Sequence, residues 1–444
     1  MKLIISFAIF IGAMILCIAT GYTMVIALFI GLIAFTICGM MEGFKFKDLV
    51  KMSGSALKDG LVVVEVMFVI GFITAIWRSS GTIAFFVYYG MKIITPGLFL
   101  IITFLLSCIL SYALGTSFGV AGTVGVIFMA LARSGGVNEV ITAAVIMSGI
   151  YFGDRGSPVS SSAVLVATIT KTKLMDNVKM MMKTAVVPFV ITLGVYSVLS
   201  VMNPIKAVDS SFMTTLQSEF DISFWCVIPA ICMVVLPLLK VPVLYSMIAS
   251  VVTGFIISLS VEGMDLGTLI EAMFTGYKSE GTLGPIINGG GLVSMIEVVI
   301  IVAMSTTYSG IFEGTGMLNS LQGKISALMN KLGRFPVMVI MSYATLGIFC
   351  NQTIASMMCN DILKKPYEDD GASKEELAMD MENSVILLAG TVPWAIACTV
   401  PLAFMQIGLS AVPLSLFLFL VPICYGIQKK VANPFKKGEK CVEE

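Results

Sequence analysis

The 444-residue chain contains no histidine. Serine hydrolases usually take histidine as the general base, and many metal sites and proton relays depend on its imidazole. Residues 115–119 have the G-x-S-x-G spacing of a nucleophile elbow, but the base that such a serine needs is missing. Proton handling must therefore fall to carboxylates, or to lysine, tyrosine or cysteine side chains.

Charged residues are also scarce. They make up 12% of the chain, whereas hydrophobic residues make up 57% and the mean hydropathy is +0.98. Soluble domains carry about 25% charged residues. Apolar runs long enough to cross a bilayer occur at residues 3–20, 23–41, 61–77, 97–113, 118–132, 184–202, 223–239, 242–260, 292–309, 335–350 and 408–427. The composition predicts an all-α polytopic membrane protein with about 10–12 transmembrane helices.

Three apolar pieces are shorter and contain glycine, proline or polar residues: 139–152, 158–170 and 384–400. A membrane tolerates an interrupted helix only where protein or a cavity covers the freed backbone. We expect these pieces to be half-helices or re-entrant segments. The stretch 43–59 is predicted to be a separate amphipathic segment, and the hydrophilic residues 361–382 are predicted to be mostly a solvated loop.

Several function classes are disfavoured. The net charge is zero and no basic block is present, so a nucleic-acid partner is not expected. Ten scattered cysteines give neither a disulfide framework nor a zinc site. No metal-ligand cluster or paired catalytic aspartate motif supports an enzyme, and no organic cofactor is expected. A channel stays open as an alternative, although broken helices suit stepwise alternation better.

The lysine distribution predicts the orientation. Lysine clusters follow the second apolar run, precede the run at 184–202 and end the chain. Cytoplasmic loops carry an excess of lysine and arginine, so we expect both termini in the cytoplasm of a plasma-membrane protein. The predicted units are a first repeat (1–205), an external connector (206–222), a second repeat (223–428) and a cytoplasmic tail (429–444).

The two units share an order of features. Each opens with two apolar runs and continues with a span that carries one glutamate, Glu65 or Glu297. Ser-Tyr-Ala recurs at an offset of 231, the glutamates at 232, and Pro158 and Pro393 at 235. Because the first unit begins inside and the second outside, the pattern predicts two inverted-topology repeats. Transporters of this kind bind substrate near the midplane, at broken helices.

The stretch 148–163 carries the strongest candidate site. It places Asp154 and Arg155 beside the helix-breaking Gly156-Ser157-Pro158, and Ser160 and Ser161 follow. Charged residues inside a membrane usually face a partner or a water-filled site. Asp154 is the candidate to bind Na⁺ or a proton, and the hydroxyls are candidate ligands. A structural ion pair between Asp154 and Arg155 is the alternative.

Other candidates surround further breaks. Thr116 and Ser117 lie in a stretch of small residues, where either an unwound cation site or close helix packing is consistent with the sequence. In the second unit, Asn351 and Thr353 follow Gly347, and a further break precedes Trp394. Glu65 and Glu297 are candidate proton carriers; satisfying a nearby backbone break is the alternative for each.

At this point the motifs resemble the NhaC family of Na⁺/H⁺ antiporters. The resemblance runs through residues 60–400, with its motifs in the same order. These are Trp-Arg-Ser-Ser-Gly at 77–81, Tyr-Tyr-Gly-Met-Lys at 88–92, the blocks 115–125, 148–162, 289–292 and 309–316, the region of Gln352, and the block 392–394. It implies a secondary carrier of inverted repeats that works on Na⁺ and H⁺. The family also includes malate–lactate antiporters, and members have been proposed to carry amino acids.

The sequence departs from the family pattern at three expected aspartates, which here are Ser161, Asn351 and Asn383. A site with fewer negative charges suits an anionic or zwitterionic substrate better. The resemblance therefore implies a cation-coupled, alternating-access transporter, foremost a Na⁺/H⁺ antiporter. Its alternative is Na⁺- or H⁺-coupled transport of an amino acid or small carboxylate, with Arg155 or backbone amides meeting the carboxylate. A homodimer is compatible with either.

Overall fold

The computed structural model describes residues 2–20, 22–205, 210–279, 283–316 and 328–431, and these residues are almost entirely helical. The predicted cytoplasmic tail beyond residue 431 and the start of the connector, 206–209, lie outside the described residues. The first eleven helices are α1 Lys2–Thr20, α2 Met24–Met41, α3 Phe46–Ser79, α4 Thr82–Ile93, α5 Phe99–Leu114, α6 Ser117–Val120, α7 Val126–Ser134, α8 Glu139–Gly156, α9 Ser161–Thr170, α10 Leu174–Met202 and α11 Ser210–Glu219.

The second set begins after the connector helix α11. It consists of α12 Ile228–Leu238, α13 Val243–Ser260, α14 Leu266–Thr275, α15 Gly284–Ile287, α16 Ile296–Thr315, α17 Arg334–Phe349, α18 Gln352–Asp369, α19 Lys374–Glu382, α20 Val385–Leu388, α21 Ile396–Met405 and α22 Leu416–Val431. A π-helical segment, Ala121–Gly125, joins α6 to α7.

The prediction of an all-α polytopic membrane protein is confirmed. Among the described residues, six helices are long and apolar enough to cross a membrane, or up to nine if each bent helix pair is one span. Shorter apolar helices include Ser161–Thr170, Leu266–Thr275 and Arg334–Phe349, and the first of these lies in the piece 158–170 that was predicted to be a half-helix or re-entrant segment.

Two sequence predictions about helix boundaries were wrong. From Phe46 onward, the amphipathic stretch 43–59 and the apolar run 61–77 form one continuous 34-residue helix, α3, because Gly60 between them stays helical and no proline interrupts the hydrogen-bond ladder. The hydrophilic segment 361–382 is also helical: α18 continues to Asp369 and α19 begins at Lys374. Three of its carboxylates, on Glu376, Asp380 and Glu382, are buried.

Four helix starts recur at one spacing. The helices α5, α6, α8 and α9 begin at 99, 117, 139 and 161, and α17, α18, α19 and α21 begin 235 residues later, at 334, 352, 374 and 396. This is the offset of Pro158 and Pro393. The Ser-Tyr-Ala match at 231 is therefore displaced by four residues, about one helical turn. The predicted unit boundaries and the inverted orientation stay predictions.

Helices α5 and α8 approach each other closely through glycine. A Cβ atom added at Gly153 would lie 2.0 Å from the carbonyl carbon of Ser111 and 2.1 Å from the backbone nitrogen of Tyr112. The Gly153 N–H donates to Ser111 Oγ at 3.1 Å. Small residues allow this kind of backbone approach in membrane helices. The contact fixes the position of α8, which carries Asp154 one residue later.

We expect Gly153→Ala to destabilise the fold by about 1–3 kcal/mol, because the methyl group has no space and the two helices must separate. The thermal melting temperature of the purified protein in detergent measures the effect. Gly194→Ala on α10 is the matched control, since nothing lies within 4 Å of its added Cβ. Equal melting temperatures for the two variants would contradict the close contact.

The chain turns sharply between α3 and α4. Residues Val64–Ser79 and Thr82–Ile93 meet at 62°, and Gly81 takes a φ of 68° at the turn. Glu262 covers this turn from just beyond the end of α13, and its Oε2 accepts from the Asp221 N–H at 3.2 Å. Burial raises the pKa of Glu262 from 4.5 to about 7, against hydrogen bonds that lower it.

This shift predicts a pH dependence of stability. The native state keeps the Glu262 proton between about pH 4.5 and 7 while the unfolded chain loses it, so the native state loses stability as pH rises through this window. We expect Glu262→Gln to flatten the decline in melting temperature between pH 5 and 8. Parallel pH profiles for the variant and the unmodified protein would refute the assignment.

Candidate functional site

Two helix breaks of the same geometry bring the site together. After α5, Gly115 is left-handed and Thr116 is extended, and α6 begins at Ser117. After α17, Cys350 is left-handed and Asn351 is extended, and α18 begins at Gln352. Thr116 and Asn351 are both N-caps: each side chain accepts from backbone N–H groups of its own helix.

Asp154 lies between these two helix starts. It is 4% exposed, and Gln352 Nε2 donates to its Oδ2 at 3.2 Å and to the Ile386 carbonyl oxygen at 2.9 Å. The backbone N–H of Ser117 faces the same carboxylate. A helix N-terminus favours negative charge, so both breaks stabilise an ionised Asp154. The structure thus places Ser117 with Asp154 and adds Gln352, which the candidate set lacked.

Arg155 is buried beside Asp154 but bonds elsewhere. Its Nη2 donates to Asn383 Oδ1 and Thr184 Oγ1, both at 2.6 Å, and to the Met181 carbonyl oxygen at 3.1 Å. No ion pair joins it to Asp154 among the described residues. The expectation of a paired Asp154 and Arg155 is therefore not met in this arrangement.

Glu382 is the residue that the sequence reasoning missed. It is 0% exposed, and neither carboxylate oxygen has a hydrogen-bond partner in the described part of the chain. The charged groups whose fields reach it are Arg155 and Asp154. Its only signal in the sequence was the Glu-Asn-Ser motif at 382–384, next to the segment predicted to be a solvated loop.

Two of the serines predicted as ligands, Ser157 and Ser160, form hydrogen bonds with backbone groups instead. Ser157 Oγ donates to the Tyr112 carbonyl oxygen at 2.6 Å. Ser160 caps α9, accepting from the N–H groups of Ser162 and Ala163, and its hydroxyl donates to the backbone carbonyl oxygen of Asp154. These bonds hold the break that follows Asp154 rather than leaving the hydroxyls free.

The remaining candidates lie apart from Asp154. Ser161 and Thr353 are exposed at the first turns of their helices. Trp394 Nε1 donates to the Gly347 carbonyl oxygen at 2.9 Å and braces the second break. Glu65 is exposed in the middle of α3. Glu297 lies in the first turn of α16, where it accepts from Thr23 Oγ1 at 2.5 Å.

A second charged cluster is centred on Asp380 and Glu376 of α19, two and six residues before Glu382. Asp380 is fully buried and accepts from Tyr367 and Tyr425 hydroxyls, each at 2.8 Å. Lys429 Nζ lies 2.7 Å from Asp380 Oδ2 and 2.8 Å from Glu376 Oε1. This network ties α22 to α19 and so fixes the helix that ends at Glu382.

Comparisons with known proteins agree on one family. A model of the Na⁺/H⁺ antiporter family matches residues 1–170 and 149–427. The chain is 27% identical over 378 residues to the malate-2H⁺/Na⁺-lactate antiporter of Bacillus subtilis (strain 168), covering 83% of this chain and 81% of the relative. It is 25% identical over 389 residues to the Na⁺/H⁺ antiporter NhaC of Alkalihalophilus pseudofirmus, covering 85% and 83%.

A third relative is named for the transport of amino acids. The chain is 25% identical over 366 residues to the arginine/ornithine antiporter ArcD of Halobacterium salinarum, covering 79% of this chain and 75% of the relative. The names of these relatives thus include exchange of Na⁺ and H⁺, of malate and lactate, and of arginine and ornithine.

We expect Asp380→Asn to lower the free energy of unfolding by about 3 kcal/mol, because it breaks a buried ion pair from one side. Thermal melting in detergent measures the loss. Glu375→Gln is the control on the same helix, since Glu375 is exposed, and it should stay within about 0.5 kcal/mol. A melting temperature for Asp380→Asn as high as that control's would show that the network adds nothing to stability.

Proposed function

The chain belongs to the Na⁺/H⁺ antiporter family and is a cation-coupled secondary transporter, and we propose that Asp154 and Glu382 form its coupling site for Na⁺ and H⁺. The observation that carries this proposal is the fully buried carboxylate of Glu382, which has no hydrogen-bond partner among the described residues and lies within the electrostatic influence of Arg155 and Asp154.

The charges of this cluster suit exchange. With both carboxylates ionised, the two of them and the one guanidinium have a net charge of −1, in an interior where an uncompensated charge is costly. One Na⁺ or one proton neutralises it. Because either ion relieves the same charge, the two compete for the cluster, and that competition is the requirement for antiport. Na⁺ is here a transported substrate, and carboxylate and amide oxygens are ligands that suit a hard cation.

The broken helices supply a route for alternating access. Half-helix N-termini and unwound backbone form substrate sites in carriers of this architecture. We place the cluster between the first repeat, with Asp154, and the second, with Gln352 and Glu382. Relative movement of the repeats would open it to one side at a time. The lysine clusters support cytoplasmic termini in a plasma-membrane protein.

A second candidate function is coupled transport of a small carboxylate or amino acid. The relatives named for malate, lactate, arginine and ornithine support it. So do the neutral side chains of Asn351, Asn383 and Ser161 at positions where the family resemblance implies aspartate. Arg155 is a poor receptor for the substrate carboxylate, since its Nη2 already donates to three acceptors.

We expect Asp154→Asn to abolish Na⁺-driven proton movement in proteoliposomes, because the ion then loses its charged ligand, while membrane insertion stays normal. Glu382→Gln should still bind an ion at Asp154 but should lack the second carboxylate, at which Na⁺ and H⁺ compete. We expect its exchange rate to fall at least about 10-fold, the equivalent of 1.4 kcal/mol. A pH-sensitive dye inside the vesicles, read after a Na⁺ pulse, measures both.

Glu65→Gln is the matched control, since it removes a carboxylate that is exposed on α3, away from the cluster. It should exchange ions at the normal rate. If Glu65→Gln loses ion exchange while Asp154→Asn keeps it, Glu65 is the carrier and the proposed cluster is wrong.

A further inference from the structure

We propose that Arg78 is the receptor for the carboxylate of a small organic substrate, which enters through a cavity on the other side of Gln406. The proposal rests on the transport function proposed above and names the substrate class and a second site for it. The site lies at the turn between α3 and α4 and does not include Asp154, Arg155 or Glu382.

Arg78 is a buried cation without a counter-ion among the described residues. It is 3% exposed, its Nη1 donates to the Thr74 carbonyl oxygen, and its Nε has no partner in the part of the chain that the structure describes. The charged side chain whose field reaches it is Arg133, a second cation, and Arg133 is itself paired with Glu139 at 2.8 Å. A buried charge is rarely left uncompensated, so a bound anion would stabilise this guanidinium.

Gln406 occupies the position that an anion would take. With its amide oxygen turned toward the donors, that oxygen accepts from Arg78 Nη2 and from the Gly290 N–H, both at 3.2 Å. Gln406 ends α21 in a left-handed conformation, with φ 56°, which is uncommon for a residue with a side chain. A neutral amide oxygen thus stands where a carboxylate oxygen would receive the same two donors and add charge.

The glycine loop at 289–291 is built to present that second donor. All three residues have positive φ. A Cβ atom at Gly290 would lie 2.6 Å from the carbonyl carbon of Thr74 and from the Ala75 nitrogen, so only glycine fits against α3 here. The loop therefore holds the Gly290 N–H one helical turn from Arg78, on the side of Gln406.

The cavity gives a solute access to Gln406. It has a volume of about 960 Å³ and is lined by Gln406, Thr399, Ser294, Glu297 and Thr23, with apolar neighbours. That volume lies at the upper end of small-molecule pockets. Gln406 is exposed to it, whereas Arg78 lies behind. A carboxylate that displaces the Gln406 side chain reaches the guanidinium, and Glu297 is the acidic group that would face the ammonium of a zwitterion.

The test measures the melting temperature of the purified transporter with acetate, L-lactate, L-malate or L-arginine, and with lactamide as the uncharged control. We expect at least one carboxylate to raise the melting temperature and lactamide to leave it unchanged. Arg78→Gln should weaken the carboxylate effect by roughly 10- to 100-fold in apparent affinity, because a charged hydrogen-bond pair is lost. No shift with any of the four carboxylates overturns the proposal.

Gln406→Glu keeps the proposal testable if Arg78→Gln does not fold. Its carboxylate should pair with Arg78 permanently, raise the melting temperature without any ligand and remove the response to added carboxylate. Unchanged stability together with a retained response would rule Arg78 out as the receptor.

Asp154→Asn separates this proposal from that of the coupling site. If the carboxylate response persists in Asp154→Asn while ion exchange is lost, both proposals stand. If Asp154→Asn still exchanges ions and Arg78→Gln alone loses the carboxylate response, the coupling site fails and the Arg78 site stands.

Discussion

A carboxylate stays ionised inside a membrane protein only where fixed donors replace the water that it has lost. Two helix breaks supply those donors to Asp154. The caps, Thr116 and Asn351, take up N–H groups of their own helices, and the Ser117 N–H and the Gln352 amide are left for the carboxylate. The position of Asp154 on α8 depends in turn on the glycine contact with α5. The geometry around Asp154 therefore depends on how these two helices pack.

The same constraint explains why so few oxygens are free to bind an ion. A broken helix exposes backbone groups that must be satisfied, and Ser157 and Ser160 satisfy them. The carboxylate of Glu382 differs from these hydroxyls, since no donor contacts it in the part of the chain that the structure describes. The buried network of Asp380 and Lys429 matters here because it holds α19 in place while that charge stays unpaired.

The sequence allowed Asp154 and the helix break after it to be predicted, because a charged residue beside Gly-Ser-Pro is costly in an apolar chain and therefore indicates a functional site. The all-α membrane fold followed from composition for a similar reason. Glu382 could not be found this way. The polar residues around it match a solvated segment, and its helix is held through Asp380 by Tyr367 and Lys429 from distant parts of the chain. The left-handed Cys350 was equally hidden, since glycine normally marks such a turn.

Helix α21 physically joins the proposed coupling site to the proposed Arg78 site. At its first residue, the Ile396 N–H donates to the Cys350 carbonyl oxygen at 2.8 Å, and Tyr151 donates to the Ala397 carbonyl oxygen at 2.5 Å. At its other end, Arg133 Nη2 donates to the Met405 carbonyl oxygen at 2.8 Å, next to Gln406. Ten residues span about 15 Å.

A solute that displaces Gln406 therefore changes what holds one end of α21, while the other end is bonded to the break that positions Gln352. Such a link couples the two sites only if the solute and the cation prefer the same arrangement of this helix, since a ligand shifts an equilibrium by no more than its difference in affinity for the two states. The buried charges at the two proposed sites favour a common preference of the solute and the cation for one arrangement of the helix. An anion at Arg78 and a cation at Asp154 and Glu382 each neutralise a buried charge, so the helix arrangement that admits both carries the lowest cost in uncompensated charge.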